Sequence, residues 1–291
     1  MISKQSRSQR VSNGSGKLPP KTDILFTIGE SEYGMHTQTD DADGRRVQAL
    51  EKGLTIIEAL KEHESAGVSE LATALDMPTS TVHVYLQTLK ALGYVIAEDG
   101  TYRLSLRFLE IGSSVREQQK VFSAARQEMI DICHNTGETV GLGVLESEKR
   151  VQLWQIEGKN AINDNINIGE YTHLHWTSLG KTLLASQDDD RIQAIVERHG
   201  LPKATENTIT NAEELFAEVE AIRRRGYTLE DEERKVGIRS ISVPITDSNN
   251  ETVAALGITA PKNKMTSSTC SKYIHQLEEK ANVISIKYAY Q

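Results

Sequence analysis

The chain is poor in three things, and each shortage excludes a class of protein. Its 291 residues contain two cysteines, Cys133 and Cys270, too few for a disulfide framework and no sign of an oxidising compartment. No stretch approaches the ~18 consecutive apolar residues that a membrane span requires, so the chain is not expected to cross a bilayer. Basic charge is also scarce. The net charge is −8 at pH 7, whereas a phosphate-binding protein ordinarily carries a basic footprint. The opening MISKQSRSQRVSNGSGKLPP is basic and Ser-rich but lacks the apolar segment of a secretory signal. The expected location is the cytoplasm.

What is present is an ordinary globular composition, 38% hydrophobic and 25% charged, with length enough for two domains of roughly 150 residues. Residues 1–44, rich in Ser, Lys, Gly and Pro and closing in DDADG, show no sustained period and are expected to be a disordered tail. From Arg45 the texture changes. Val47, Leu50, Leu54, Ile57 and Leu60 recur at helical spacing and predict a helix over 45–62. Ser69 is the expected N-cap of a short second helix carrying Leu71, Ala72 and Leu75. Pro78 opens a third helix, which Gly93 closes. Residues 94–97 and 101–104, flanking Asp99-Gly100, read as a tight β-hairpin. Residues 106–136 are helical again, with a break or bend at Gly112 or in the polar stretch Arg116–Lys120. Beyond Gly137 come strands at 139–145 and 151–156, helices at 177–185, 189–199 and 212–225, strands at 237–245 and 252–259, and a closing helix at 268–288. That order predicts an α+β domain around a largely antiparallel sheet.

Three helices followed by a hairpin are the outline of a winged helix-turn-helix. Between Pro78 and Leu92 the third helix carries a single charged residue, Lys90. One face is Val82, Leu86 and Leu89; the other is Thr79, Ser80, Thr81, His83 and Gln87. Such side chains read base edges and phosphates by hydrogen bonding, and the free N–H groups of the first turn favour a phosphate. Arg45, Arg46, Lys90, Arg103 and Arg107 are the candidate phosphate clamps. Against this, residues 45–112 hold 7 Lys+Arg and 9 Asp+Glu, a balance of −2, which offers little drive from counterion release. Ser and Thr are also common helix caps. Two alternatives therefore stand: an interaction module that does not bind DNA, and an enzyme built on the α+β half. The enzyme requires a nucleophile–base pair, and no Gly-x-Ser-x-Gly occurs.

Several local patterns imitate other chemistry. Gly180-Lys181-Thr182 resembles the end of a phosphate-binding loop, but position 175 is His175 where that motif needs Gly. Gly141-Leu142-Gly143 lacks the third glycine of a dinucleotide fingerprint, which falls on Glu146. His173-x-His175 offers two imidazoles without a Cys or carboxylate at ligand spacing, so no metal is expected. Cys133, on an apolar helical face, is expected in the core. Glu230-Asp231-Glu232-Glu233 reads as a solvated turn with at most one carboxylate turned inward.

Residues 45–112, in RRVQALEKGLTIIEAL, VSELATALDMPTSTVHVYLQTLKALGYV and TYRLSLRFLEIG, resemble the winged-helix domain of the IclR-type (isocitrate lyase regulator) transcription factors. HLHWTSLGKTLLA at 173–185, RRRGYTLEDEERKVGIRSISVPI at 223–245 and VAALGITAP at 253–261 resemble the second half of the same family, so the likeness spans 45–288 in order. It implies a winged helix-turn-helix DNA-binding domain over 45–105, linker helices over 106–136 and a GAF-like effector-binding domain over 137–291. The implied protein is a transcription regulator with no catalytic residues and no cofactor. It would bind double-stranded operator DNA as a homodimer or homotetramer and sense a small organic acid or related metabolite. By motif position the DNA contacts fall on Thr79, Ser80, Thr81, His83 and Gln87, and the effector contacts on Ser178, Leu179, Glu230, Ser240, Gly257 and Thr259. N–H groups at the helix start after His175 suit a carboxylate, with hydroxyls fixing its orientation. The chain departs from the family pattern with Val84 in place of a frequent Arg, and with Glu230 and Ser240 where relatives often carry Asp and Cys. The longer acid narrows the pocket and the hydroxyl makes it more polar, so effector identity does not carry over.

Overall fold

The computed structural model describes residues 47–161 and 166–291. The expected tail, and Arg45 and Arg46 with it, lie outside the described residues.

The first module comprises α1 (Gln48–His63), β1 (Ala66–Gly67), α2 (Val68–Ala74), α3 (Thr79–Ala91), β2 (Val95–Glu98) and β3 (Thr101–Leu104). Ile56 and Leu60 of α1 and Val82 and Leu86 of α3, each pair one helical turn apart, meet Leu71, Val95 and Tyr102 in one buried cluster. The cap expected at Ser69 is a correction. The second helix starts at Val68 with Gly67 before it, and the Glu70 carboxylate accepts the Gly67 N–H at 3.4 Å. The cause is a strand invisible to local pattern: Gly67 pairs with Thr101, making a three-stranded sheet in the order β1-β3-β2. The other end of the motif follows its chemistry. Gly93 takes φ +79, and the Tyr94 N–H returns to the Leu89 carbonyl at 2.9 Å, closing α3. Asp99 and Gly100, at φ +49 and +86, make the tight hairpin turn.

Two helices follow, α4 (Arg107–Glu117) and α5 (Lys120–Thr136). The break falls at Gln118-Gln119, inside the polar stretch, while Gly112 lies within α4. The rest is β4 (Thr139–Glu146), β5 (Lys149–Ile156), β6 (Tyr171–Thr172), a short 3-10 turn (Leu174–Trp176), α6 (Ser178–Ala185), α7 (Asp189–His199), α8 (Ala212–Arg225), β7 (Thr228–Asp231), β8 (Ile238–Thr246), β9 (Thr252–Pro261), a second 3-10 turn (Lys262–Lys264) and α9 (Ser267–Ala289). The strands form one antiparallel sheet in the order β6-β5-β4-β9-β8-β7.

The two faces of this sheet differ in kind because side chains alternate along a strand. Val140 and Leu142, Ile241 and Val243, and Leu256 and Ile258 point to one face and pack into a core with Phe122, Met129 and Ile132 of α5 and Leu277 and Ile284 of α9. Cys133 belongs to that core, as its helical face foretells. Glu128 of α5 adds a tie to α9, receiving Lys287 at 2.6 Å. The opposite face carries Thr139, Gly141 and Gly143, Ser240 and Ser242, and Gly257 and Thr259, small or polar through the middle of the sheet, with Leu145 and Ile238 nearer its ends. Helices α6, α7 and α8 roof this side around their own cluster, which includes Leu179, Leu183, Ile192 and Val219. A sheet with one greasy face and one small, polar face leaves space on the second side. Among the described residues no helix is long and apolar enough to cross a membrane.

Candidate functional site

The outer surface of α3 is as the pattern foretells. Thr79, Ser80, His83, Gln87 and Lys90 are exposed and Thr81 is half-buried, while Val82 and Leu86 are sealed inside. Val84 stands on this surface with 63% of its area exposed, an apolar patch where a cation would strengthen phosphate contact. Gln87 is steered by the hairpin: its amide donates to the Tyr102 hydroxyl at 3.0 Å. The two arginines near the hairpin already have tasks in the fold. Arg103 forms a two-pronged pair with Glu98, at 2.8 and 3.2 Å. The Arg107 guanidinium donates to the Leu92 carbonyl at the end of α3 (2.9 Å) and lies over the Tyr94 ring at 4.8 Å.

The second site lies between α6 and the polar face of the sheet. All six residues expected around an effector, Ser178, Leu179, Glu230, Ser240, Gly257 and Thr259, line one cavity of about 480 Å³ including its open mouth. The strand register explains their meeting: Glu230 pairs with Ser240, and Ser240 with Thr259, across three neighbouring strands. Gly257 and Gly141 form the floor. A Cβ on Gly257 would come within 2.8 Å of the Ile241 carbonyl and 3.1 Å of the Leu179 side chain, and one on Gly141 within 3.2 Å of Leu179. Thr177 caps α6, accepting the Gly180 N–H at 3.0 Å. Thr182 anchors the helix, its hydroxyl 2.7 Å from those of both Thr228 and Ser242.

Residues that sequence reasoning did not assign complete the lining, notably Gly141, Arg150, Gln152, Arg234 and Lys235. Arg150 is fully buried; Nε donates to the Thr172 hydroxyl at 2.9 Å and Nη1 to the Gln152 side chain. A buried guanidinium is a strong recognition element for carboxylates. Arg150 pairs with Leu145 and Gln152 with Gly143, which puts both on the sheet face that α6 covers, where the Arg150 stem meets the site of Gly143 beside Leu179.

The acidic run is a second correction. Thr228–Asp231 is an edge strand rather than a turn, and two carboxylates face inward, Glu230 at 2% exposure and Glu233 at 8%. Strand parity turns Glu230 in, and buried Lys181 draws Glu233 with an ion pair of 2.6 Å. That pair accounts for the false phosphate-loop motif: Lys181 is a charge neutralised inside the protein. Glu230 accepts N–H bonds from Glu233 (2.7 Å) and Arg234 (3.3 Å) on one oxygen and the Ser240 hydroxyl (2.7 Å) on the other. Burial pushes its carboxyl up to about 7, against the opposing pull of the Ser240 hydrogen bond. The His175 Nε2–H donates to the Pro202 carbonyl (3.1 Å), and burial pushes both His173 and His175 down to about 4, leaving them neutral at pH 7. Among the described residues no group of three or more His, Cys, Asp or Glu is placed to hold a metal.

A winged helix with an uncharged reading face, joined through helices to a sheet domain with a polar cavity, defines a class of DNA-binding regulators. The chain belongs to the IclR family of bacterial transcriptional regulators: the helix-turn-helix domain of that family matches residues 49–98 and its C-terminal domain residues 113–286. It is similar to the HTH-type transcriptional regulator KdgR of Escherichia coli K12, with 32% identity over 246 residues, 84% of this chain and 94% of that protein. The crystal structure of Thermotoga maritima IclR superposes with a TM-score of 0.73 at 32% identity, covering 84% of this chain and all of that one. An IclR homolog from Microbacterium hydrocarbonoxydans, complexed with 4-hydroxybenzoate, shares the fold (TM-score 0.70, 22% identity, covering 81% of this chain and 98% of that one). These relatives are regulators, which answers the enzyme alternative.

The raised value at Glu230 has a definite sign. The group titrates near 4.5 when unfolded and about 7 when folded, so its stabilising contribution is complete below the lower value and lost as pH rises through the higher one. Glu230→Gln removes that titration. The melting temperature of the variant relative to the wild type is expected to climb between about pH 5 and about pH 8 and then level off. A difference that stays flat across that range means Glu230 remains ionised throughout.

Proposed function

We propose that this chain binds operator DNA as a homodimer through the exposed face of α3, and that a small carboxylate-bearing effector in the cavity beneath α6 alters that binding. The observation that carries the sensing half is the cavity itself: six residues from four separate segments converge on it beside a buried guanidinium. Ligand pockets are concave spaces with a few well-placed polar groups, and the Microbacterium relative is complexed with an acid, 4-hydroxybenzoate. An effector changes DNA affinity only if it binds one arrangement of the protein better than another. For the reading half, the support is α3, whose polar groups suit base edges and phosphates without a basic footprint.

Two helices, α1 and α4, leave large apolar side chains in water. Val47, Leu50 and Leu54 at and just inside the start of α1 are 66%, 63% and 54% exposed, and Leu106, which precedes α4, with Leu109 and Val115 within it, are 78%, 66% and 55% exposed. Large apolar side chains exposed on two neighbouring segments suit an interface, and a helix-turn-helix dimer presents its two reading helices to half-sites about one DNA turn apart. A second copy of the chain is the proposed occupant.

Ser80→Ala combined with Thr81→Ala is expected to weaken operator binding at least about tenfold, with two hydrogen-bonding side chains lost, while thermal stability changes little. Fluorescence anisotropy on operator and scrambled duplexes checks it, and an unchanged preference for operator rules out this face as the reader. Ser240→Trp fills the cavity and is expected to abolish the effector's influence on that same binding while leaving basal affinity near normal; a surviving response places the sensor elsewhere. Leu109→Glu with Val115→Glu is expected to shift the protein to monomer in sedimentation velocity, and a dimer that persists assigns the interface to another surface.

A further inference from the structure

The outward face of α3 has an apolar centre. Ser80, Val84, Gln87 and Ala91 follow one another at spacings of four, three and four, so they form one stripe along the helix. All four are exposed, on the side away from the buried Val82 and Leu86. Val84, within that stripe, keeps 63% of its area in water. The polar neighbours that could cover it are committed elsewhere. The Thr88 hydroxyl donates back to the Val84 carbonyl at 2.9 Å. The Gln87 amide nitrogen donates to the Tyr102 hydroxyl at 3.0 Å and lies 3.4 Å from His83 Nε2, so it leans toward the hairpin. No acidic residue stands between Pro78 and Leu92 to repel a duplex. A bare isopropyl group is thus held among side chains that hydrogen-bond.

A single exposed valine needs no explanation on an ordinary surface. On a base-reading surface it does, because docking takes it out of water against polar groups. Valine has no donor for a phosphate. Set against the amino group of cytosine or adenine, it would strip water from a donor and return no hydrogen bond. Only one base edge in the major groove carries an apolar group, the 5-methyl of thymine. We infer that Val84 is a specificity-determining residue that packs on a thymine methyl in each half-site and rejects a base whose amino group falls at that point. This rests on α3 being the DNA-reading helix.

The test uses the full-length protein. Duplexes that it enriches from a random-sequence library define its preferred site. Fluorescence anisotropy then reads its affinity for that site with single thymines replaced by deoxyuridine, which keeps base pairing and removes only the methyl group. One thymine in each half-site is expected to be sensitive, the loss of its methyl weakening wild-type binding about 3- to 10-fold. Val84→Ala is expected to bind the parent duplex about as weakly as the wild type binds the deoxyuridine one, and to lose most of its sensitivity to that replacement. Its melting temperature stays at the wild-type value, because the side chain removed is exposed. If every deoxyuridine duplex binds the wild type like the parent, the inference is overturned. Val84→Ala that keeps the full wild-type sensitivity overturns it equally, since another group then meets the methyl. The reading helix itself is judged separately by Ser80→Ala with Thr81→Ala. A preferred sequence left unchanged by that pair, or a library that yields no preferred sequence, overturns the role of α3, and this inference with it.

Discussion

The close approach of α6 to the sheet is the constraint on which the C-terminal half depends. Leu179 rests on Gly141 and Gly257, and a methyl group at Gly257 would strike the Ile241 carbonyl as well as Leu179. Glycine is a poor strand residue, and its presence at two facing positions is the concession that lets a helix settle onto backbone. Once it has settled, Thr182 reaches the hydroxyls of two strands and Lys181 reaches Glu233. A buried ion pair adds little net stability by itself, but the loss of either partner leaves an uncompensated charge, so helix and strands are held in one arrangement. The cavity is the space left beyond Leu179, where the sheet continues to offer hydroxyls in place of bulk.

The DNA-reading module follows a different economy. Of the cations near its surface, Arg103 is matched by Glu98 and Arg107 is spent on the Leu92 carbonyl. Few free positive charges remain on a module whose overall balance is negative. On the proposed reading, α3 depends on hydroxyl, imidazole and amide contacts of short reach. Contacts of that type discriminate well and attract poorly from a distance.

How much of this was legible beforehand depended on length. Helices of ten residues or more and the four long strands declared themselves by period, and their ends fell within three residues of the expected limits. The short strands β1, β6 and β7, of two to four residues, did not, because a strand that short is defined by a partner distant in sequence. The error at Ser69 follows from β1, and the error over the acidic run from β7. The six effector positions came from family resemblance rather than from periodicity, and the register supplies the physical reason they belong together. Arg150 escaped because alternation puts it on the face opposite the core, and the helix that buries that face, α6, is distant in sequence.

Arg107 opens α4 while its guanidinium grips the last carbonyl of α3, and the Ser105 hydroxyl donates to the Gly93 carbonyl at 2.6 Å. Tyr94 and Phe108 close the same corner, their rings 5.4 Å apart. The joint between the two helices is therefore splinted on three sides. Torque on α4 passes into α3 as through a crank, with no slack loop to absorb it. The helical path is interrupted only a full helix away, at Gln118-Gln119, so a change of angle at that break would carry α4 and α3 together as one piece.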